Sequence, residues 1–178
     1  MHRSITELET MVDGILSAPN DAGPIEMIVR RPAEGDREVV ESAELSTEQG
    51  LVGDNWIDRV DENGEPYRPA QITLMNSRVA DAVATSRDRW PLAGDQIYVD
   101  LDISHENLPA GSRIQVGDAV VEISEVPHTG CDKFASRFGR EALRFANVGV
   151  GKVNRFRGVN GFIVESGIVR VGDKVTKL

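Results

Sequence analysis

Cysteine is almost absent from this chain: of 178 residues, only Cys131 carries a thiol. One cysteine closes no internal disulfide, which agrees with a reducing compartment, and it excludes isolated metal sites of the zinc-finger type. Long apolar runs are missing too. No stretch approaches the ~20 residues that span a bilayer, and the amino terminus, MHRSITELETMVDG, carries acids where a signal peptide would have an unbroken apolar segment. The expectation is a cytoplasmic protein with no membrane segment. Positive charge is in deficit, with a formal net charge of −9, which argues against a non-specific binder of nucleic acid or of anionic membranes. A Ser-His-Asp order and a phosphate-cradling glycine loop are also lacking.

What is present reads as many short strands and few helices. The length suits one domain of moderate size with an appended helix. Residues 4–16 carry a stripe of Ile5, Leu8, Val12, Ile15 and Leu16 behind an S-x-x-E capping box (Ser4 and Glu7), so residues 1–20 are expected to form an amphipathic helix packed on the domain. Residues 21–178 are expected to form the domain itself. Strands are predicted over 25–31 and 37–45, joined by a hairpin-length loop, then over 71–75, where Asn76 caps a following helix. Alternation over 96–104 predicts a half-buried strand, and 106–126 holds two more, split at Gly117 and Asp118. The final stretch reads as a hairpin with Ser166 and Gly167 at its turn. Repeated βα units are absent, which disfavours a Rossmann sheet. The fold class expected is mainly β with a few helices (α+β), built on a small closed or nearly closed β-barrel.

The stretch that carries chemistry is residues 126–139, VPHTGCDKFASRFG. Pro127 stops the preceding strand, Thr129 and Gly130 turn the chain, and Phe134 and Phe138 lie four apart on one face of a helix that Gly139 would end in a left-handed conformation. Cys131 then sits at a helix N-terminus, where unpaired N–H groups stabilise an anion, with Lys133, Arg137 and His128 close in sequence. Such a thiolate is a nucleophile, a sulfur carrier or a ligand for a soft metal. A lone cysteine is otherwise most often a small buried hydrophobe, but no apolar periodicity passes through position 131. His128 reads equally as a proton donor, a ligand or an ordinary loop histidine.

Charge is unevenly spread. Residues 131–157 hold seven basic side chains (Lys133, Arg137, Arg140, Arg144, Lys152, Arg155, Arg157) and two acidic ones, a local net of +5 that leaves −14 for the remainder. A basic segment beside the thiol suits a small anion such as phosphate, although any one of these arginines alone reads more simply as a solvated side chain. Other motifs are weak. Asp100, Asp102, His105 and Glu106 crowd together, yet alternation puts the two aspartates on a solvated strand face. DENGE, residues 61–65, lacks the ligand spacing of a calcium loop and reads as a turn. Asp54, after Gly53, is either a site carboxylate or part of a tight turn.

The run GSRIQVGDAVVEISEVPHTGCDKFASRFGREALRF, with RFRGVNGFIVESGIVRVGDKV downstream, resembles the MOSC domain, named for the C-terminal domain of molybdenum cofactor sulfurase. The likeness extends upstream through GLVGD with Asp54, YRPAQITLM with Arg68, and AGDQIYVDLDIS, and covers roughly positions 45–175. It is closest in form to small stand-alone members. The resemblance implies a MOSC-type β-barrel and a role in molybdenum cofactor (molybdopterin) or sulfur handling centred on Cys131. That residue would ligate molybdenum in an oxidoreductase acting on N-hydroxylated compounds. Alternatively it would accept persulfide sulfur from a pyridoxal phosphate-dependent cysteine desulfurase and pass it on, for instance to a molybdoenzyme partner. The cofactor-binding residues implied are Lys133, Arg137, Arg140, Arg157, Asp54 and Arg68, with Cys131 and His128 catalytic. One departure stands out: where some members carry paired arginines and an asparagine, this chain has Ala93, Gly94, Asp95 and Gln96. Cofactor binding through that segment would therefore differ here or be weak.

Overall fold

The computed structural model describes residues 2–178. Seven strands close into a barrel. They are β1 (Ala22–Arg30), β5 (Ile72–Asn76), β6 (Ile97–Val99), β7 (Arg113–Val116), β8 (Ala119–Ile123), β9 (Val159–Glu165) and β11 (Lys174–Lys177). Around the ring the order is β11, β7, β8, β9, β5, β6, β1, and β1 pairs back to β11 through Ala22–Thr176, Gly23–Val175 and Pro24–Lys174. All neighbours in the ring are antiparallel except β5 and β6. Closure leaves no free edge around the ring. A short strand, β2 (Glu38–Val40), extends β1 on its far side, and β3 (Ser42–Ser46), β4 (Gly50–Leu51) and β10 (Gly167–Arg170) make a separate small sheet in the order β10, β3, β4.

Two apolar cores share the strands. Ile28, Leu74, Ile97, Val121, Ile163 and Val175 fill the barrel. Met27, Val29, Met75 and Tyr98 point the other way into a second cluster, where they meet the helices. In β1 the residues Ile25 and Ile28 both belong to the barrel interior although three positions separate them; a β-bulge between Ile25 and Met27 shifts the parity. The outer layer consists of α1 (Ile5–Glu9), α2 (Val12–Leu16), α3 (Ser77–Ala84), α4 (Asp132–Phe138), α5 (Arg140–Asn147) and α6 (Val150–Val153). Phe134 and Phe138, ring centroids 4.9 Å apart in an edge-on arrangement, are both buried there and seat α4.

Several local expectations hold. Ser4 and Glu7 form the capping box, Asn76 accepts from the N–H groups of Arg78 and Val79, and Gly117 has φ +55 at the β7–β8 turn. Others change. The helix over 4–16 is two helices, parted at Thr10 and Met11. Thr10 Oγ1 donates to the Glu7 carbonyl at 2.7 Å, and Gly14 weakens the second half. Ser166 and Gly167 do not turn a hairpin: both edges of β9 are taken, by β8 and β5, so β10 leaves the barrel and pairs with β3. Only Ile97–Val99 of the 96–104 stretch is strand, and it is buried on both faces because helices cover the barrel outside Tyr98. Gly139 has positive φ (+92) but extended ψ (160), and it starts α5 as well as ending α4. A Cβ on Gly23 would lie 1.7 Å from the Asp100 carbonyl oxygen. Gly23→Ala is therefore expected to destabilise the barrel by about 1–3 kcal/mol, measured by urea unfolding.

Candidate functional site

The chain leaves β8 and crosses a short irregular segment to Cys131, which is the N-cap of α4 in extended geometry (φ −124, ψ −177). Its carbonyl accepts the first helical bond from Ala135 at 3.0 Å, while the thiol is exposed and makes no capping bond. The cysteine is therefore not packed in the core. The loop before it is tied from both sides. Asn147 on α5 accepts from the Gly130 N–H at 2.9 Å and donates to the Gly130 carbonyl at 3.0 Å. Asn160 on β9 donates to the Val126 carbonyl at 3.1 Å. The thiol is thus presented on a fixed loop above a helix held by two buried phenylalanines.

Cys131 opens onto a cleft of about 850 Å³ whose wall carries six cationic side chains: Arg31, Arg37, Arg59, Lys133, Arg137 and Arg157. Glu34 and Asp58 are the acids in that wall. Arg31, at the end of β1, is buried and held by Asp54 through Nε and Nη2, each at 2.8 Å. Arg37 and Arg137 spend donors on the carbonyls of Pro91 and Leu92, at 3.1 and 2.8 Å. Burial first, and then the charges of Arg137 and Arg31, lower Arg37 below the ordinary arginine value. Desolvation, then Arg31, does the same to Arg59. Like charges held this close stabilise an anion placed between them.

Behind the inner wall of the cleft, Asp95 joins two elements of the site. Its side chain is fully buried, with His128 Nε2 2.8 Å from Oδ1 and Arg157 Nη1 2.5 Å from Oδ2. Arg157 also donates to the Ala93 carbonyl at 2.9 Å and lies over the Phe134 ring at 5.1 Å, while its buried Nε has no partner. Burial alone would raise the Asp95 carboxyl, but Arg157 and His128 outweigh it and hold the carboxyl below the usual range. Burial and the Arg157 charge lower His128 below its ordinary 6.5, against the opposing pull of Asp95. With Asp95 ionised, the neutral ring donates Nε2–H to it and leaves Nδ1 free to exchange a proton.

Well above pH 6.5 His128 is neutral in both folded and unfolded chains. Below it the unfolded chain binds the proton more readily, so the His128 contribution to stability falls as pH falls. His128→Gln, which keeps a donor for Asp95, is expected to lose less stability than the parent between pH 7 and 5, as read by urea unfolding at each pH.

Of the residues proposed from sequence, Cys131, His128, Lys133, Arg137 and Arg157 line the cleft together. Asp54 stands behind it, buried and engaged with Arg31 and with the Trp56 N–H. Arg140 and Arg68 lie outside this wall. Arg140 starts α5 and is exposed, and Arg68 covers the Phe162 ring at 5.3 Å. Arg31, Arg37 and Arg59 were not singled out by sequence reasoning. They lie between 72 and 100 positions before Cys131, and no local spacing links them to it. The segment 93–96, where the family likeness departs, supplies the carboxylate that orients His128 and Arg157 rather than cations of its own. Asp61 accepts from Asn63 and Glu65 as a turn residue does. Asp100 pairs with Arg78 at 2.7 Å, and no cluster of three potential metal ligands from His, Cys, Asp and Glu occurs among the described residues. No helix among them is long and apolar enough to cross a membrane.

Comparison with known proteins places this geometry. The profile of the MOSC domain matches residues 67–176. No curated protein sequence matches the chain. Among solved structures, YuaD from Bacillus subtilis superposes with a TM-score of 0.63 at 16% identity, over 86% of this chain and 94% of that one. YiiM from Escherichia coli gives 0.57 at 19% identity, covering 88% and 69%. YiiM from Geobacillus stearothermophilus gives 0.54 at 14% identity, covering 89% and 73%. At these identities the structural likeness establishes the shared barrel.

Proposed function

The chain belongs to the MOSC domain family, and from that membership we propose that its cleft binds the molybdenum cofactor, with Cys131 as the protein ligand to the metal. The carrying observation is the pairing of an exposed thiol with six cationic side chains around one cleft of about 850 Å³. A soft thiolate suits a sulfur-coordinated metal, and guanidinium forks suit a terminal phosphate. The residues fit the group in a further respect. Asn55 Oδ1 in the cleft wall is buried without a hydrogen-bond partner, as an acceptor for the N–H groups of a pterin would be. Arg37, Arg59 and Arg137 would hold the phosphate, with Lys133, which pairs with Glu34 at 2.5 Å, at the rim, while Arg31 and Arg157, pinned by Asp54 and Asp95, would shape the inner wall.

When bound, the group would supply two-electron redox chemistry. The reaction class we assign is reduction of an N-hydroxylated compound, in which the N–O bond breaks. The substrate takes up two electrons, delivered by a reduced flavoprotein or iron–sulfur partner, and two protons, giving an N–H group and water. His128 would move one of those protons at Nδ1, with Asp95 holding the ring. Elemental analysis by mass spectrometry, on protein purified from molybdate-supplemented cells that make the cofactor, tests the assignment. Near-stoichiometric molybdenum is the expected result, and metal-free protein would count decisively against it.

Exposure of Cys131 at the mouth of the cleft supports a second reading, a sulfur carrier loaded as a persulfide by a pyridoxal phosphate-dependent desulfurase. That reading expects a species heavier by one sulfur, about 32 Da, which reductant removes.

A further inference from the structure

Behind the cysteine loop lies a second cavity, of about 480 Å³, a volume suited to one small organic ligand. Cys131 is not part of its wall. It shares His128, Arg157 and Asn160 with the cleft, so these side chains form a partition between the two spaces. Val126, Pro127, Ala146 and Val159 give it apolar sides. Gly151 and Gly158 also line it; a Cβ at Gly151 would lie 1.8 Å from the Phe145 carbonyl oxygen and one at Gly158 2.5 Å from that of Leu74, so packing against the protein itself excludes a side chain at both.

The polar side of this cavity is cationic. Arg155 is half-buried and donates to the backbone carbonyls of Ile103 and Leu108. No carboxylate lies within ion-pair distance of Arg155 or Lys152 among the described residues. Burial lowers Arg155, and burial followed by the Arg155 charge lowers His105, which also lines the cavity. The lining's one acid, Glu125, is exposed. A partly desolvated cation without a counter-charge, beside apolar walls, stabilises an anion that carries an apolar body.

We propose that this cavity is a second ligand site, which takes a planar aromatic or heteroaromatic carboxylate with its ring between Val126, Ala146 and Val159 and its carboxylate toward Arg155 and Lys152. The site stands whether or not the cleft on the far side of His128 holds a cofactor. A ligand there would touch Thr129 and Gly130, the two residues before Cys131.

Nicotinate and nicotinamide share a ring and differ in charge, so they make a matched pair of probes. Titration into the ¹⁵N-labelled full chain, followed by amide chemical shifts, is expected to show saturable nicotinate binding with shifts at Gly130, Ala146 and Gly151. Nicotinamide is expected to bind about tenfold more weakly. Arg155→Gln should weaken nicotinate about tenfold. Because Arg155 also ties two loop carbonyls, Lys152→Glu is the second variant; its exposed position spares the fold, and it should weaken nicotinate about threefold. Equal affinity for the two probes, unchanged affinity in Lys152→Glu, or no saturation by about 10 mM would overturn the proposal. So would shifts confined to Arg31, Arg37 and Arg137, which would put the probe in the cleft. Molybdenum content is read independently, so failure here and failure of the cofactor assignment are distinguishable.

Discussion

Cys131→Ser is expected to lower bound molybdenum from near-stoichiometric to background while leaving the thermal midpoint of the metal-free protein unchanged or slightly raised, because serine can cap α4 where the thiol does not. The two halves of this expectation have separate causes. A serine hydroxyl is a hard donor that stays protonated near neutrality, so it replaces neither the charge nor the softness of a thiolate toward the metal. The fold loses nothing with the thiol, because it is exposed, makes no capping bond and fills no part of either core. The cationic side chains remain in place, but without the metal–thiolate bond their phosphate contacts alone are expected to hold the cofactor too weakly to survive purification. Elemental analysis beside a melting curve reads both halves. Full retention of molybdenum in Cys131→Ser would remove Cys131 from the ligand set, whereas no metal in either protein would move the weight to the sulfur-carrier reading.

Asp95→Ala is expected to cost about 3–5 kcal/mol of folding stability, measured by urea unfolding at pH 7. Asp95 is fully buried and is the carboxylate that neutralises Arg157, itself buried, so its removal strands a cation in the interior and unties His128. Deleting Arg157 in the same background should recover part of the loss, because the stranded charge goes with it. Asp118, which meets Arg170 on the surface at 3.4 Å, gives the contrast. Asp118→Ala should leave the unfolding midpoint nearly unchanged, since water already solvates both partners. Comparable losses at the two positions would mean that the Asp95 cluster is not a desolvated unit.

Much of the architecture was legible in local pattern. Turn pairs such as Gly117 and Asp118, the cap at Asn76 and the box at Ser4 and Glu7 act over a few residues, and the structure keeps each. Short alternating strands without βα repeats implied a barrel, and seven strands close into one. The cysteine loop was legible for the same reason: Pro127, Thr129, Gly130 and the Phe134–Phe138 spacing each set local backbone or burial, which fixes Cys131 at a helix start. Pairing partners were not legible. Ser166 and Gly167 look like a hairpin turn, but closure of the ring occupies both edges of β9 and sends β10 to β3. That competition between strands exists only in three dimensions.

The site divides along the same line. Sequence by itself determined the thiol, its helix and the basic character of residues 131–157, because these depend on neighbours in the chain. Only the tertiary structure decided which cations share the thiol's cleft. It brought in Arg31, Arg37 and Arg59 from between 72 and 100 positions upstream and left Arg140 and Arg68 outside. It also turned Asp54 and Asp95 into buried anchors for Arg31 and Arg157. The physical reason is range. Capping and helical spacing act over about four residues, whereas a charged cleft is assembled by barrel closure, which sets distant strand ends and loops side by side.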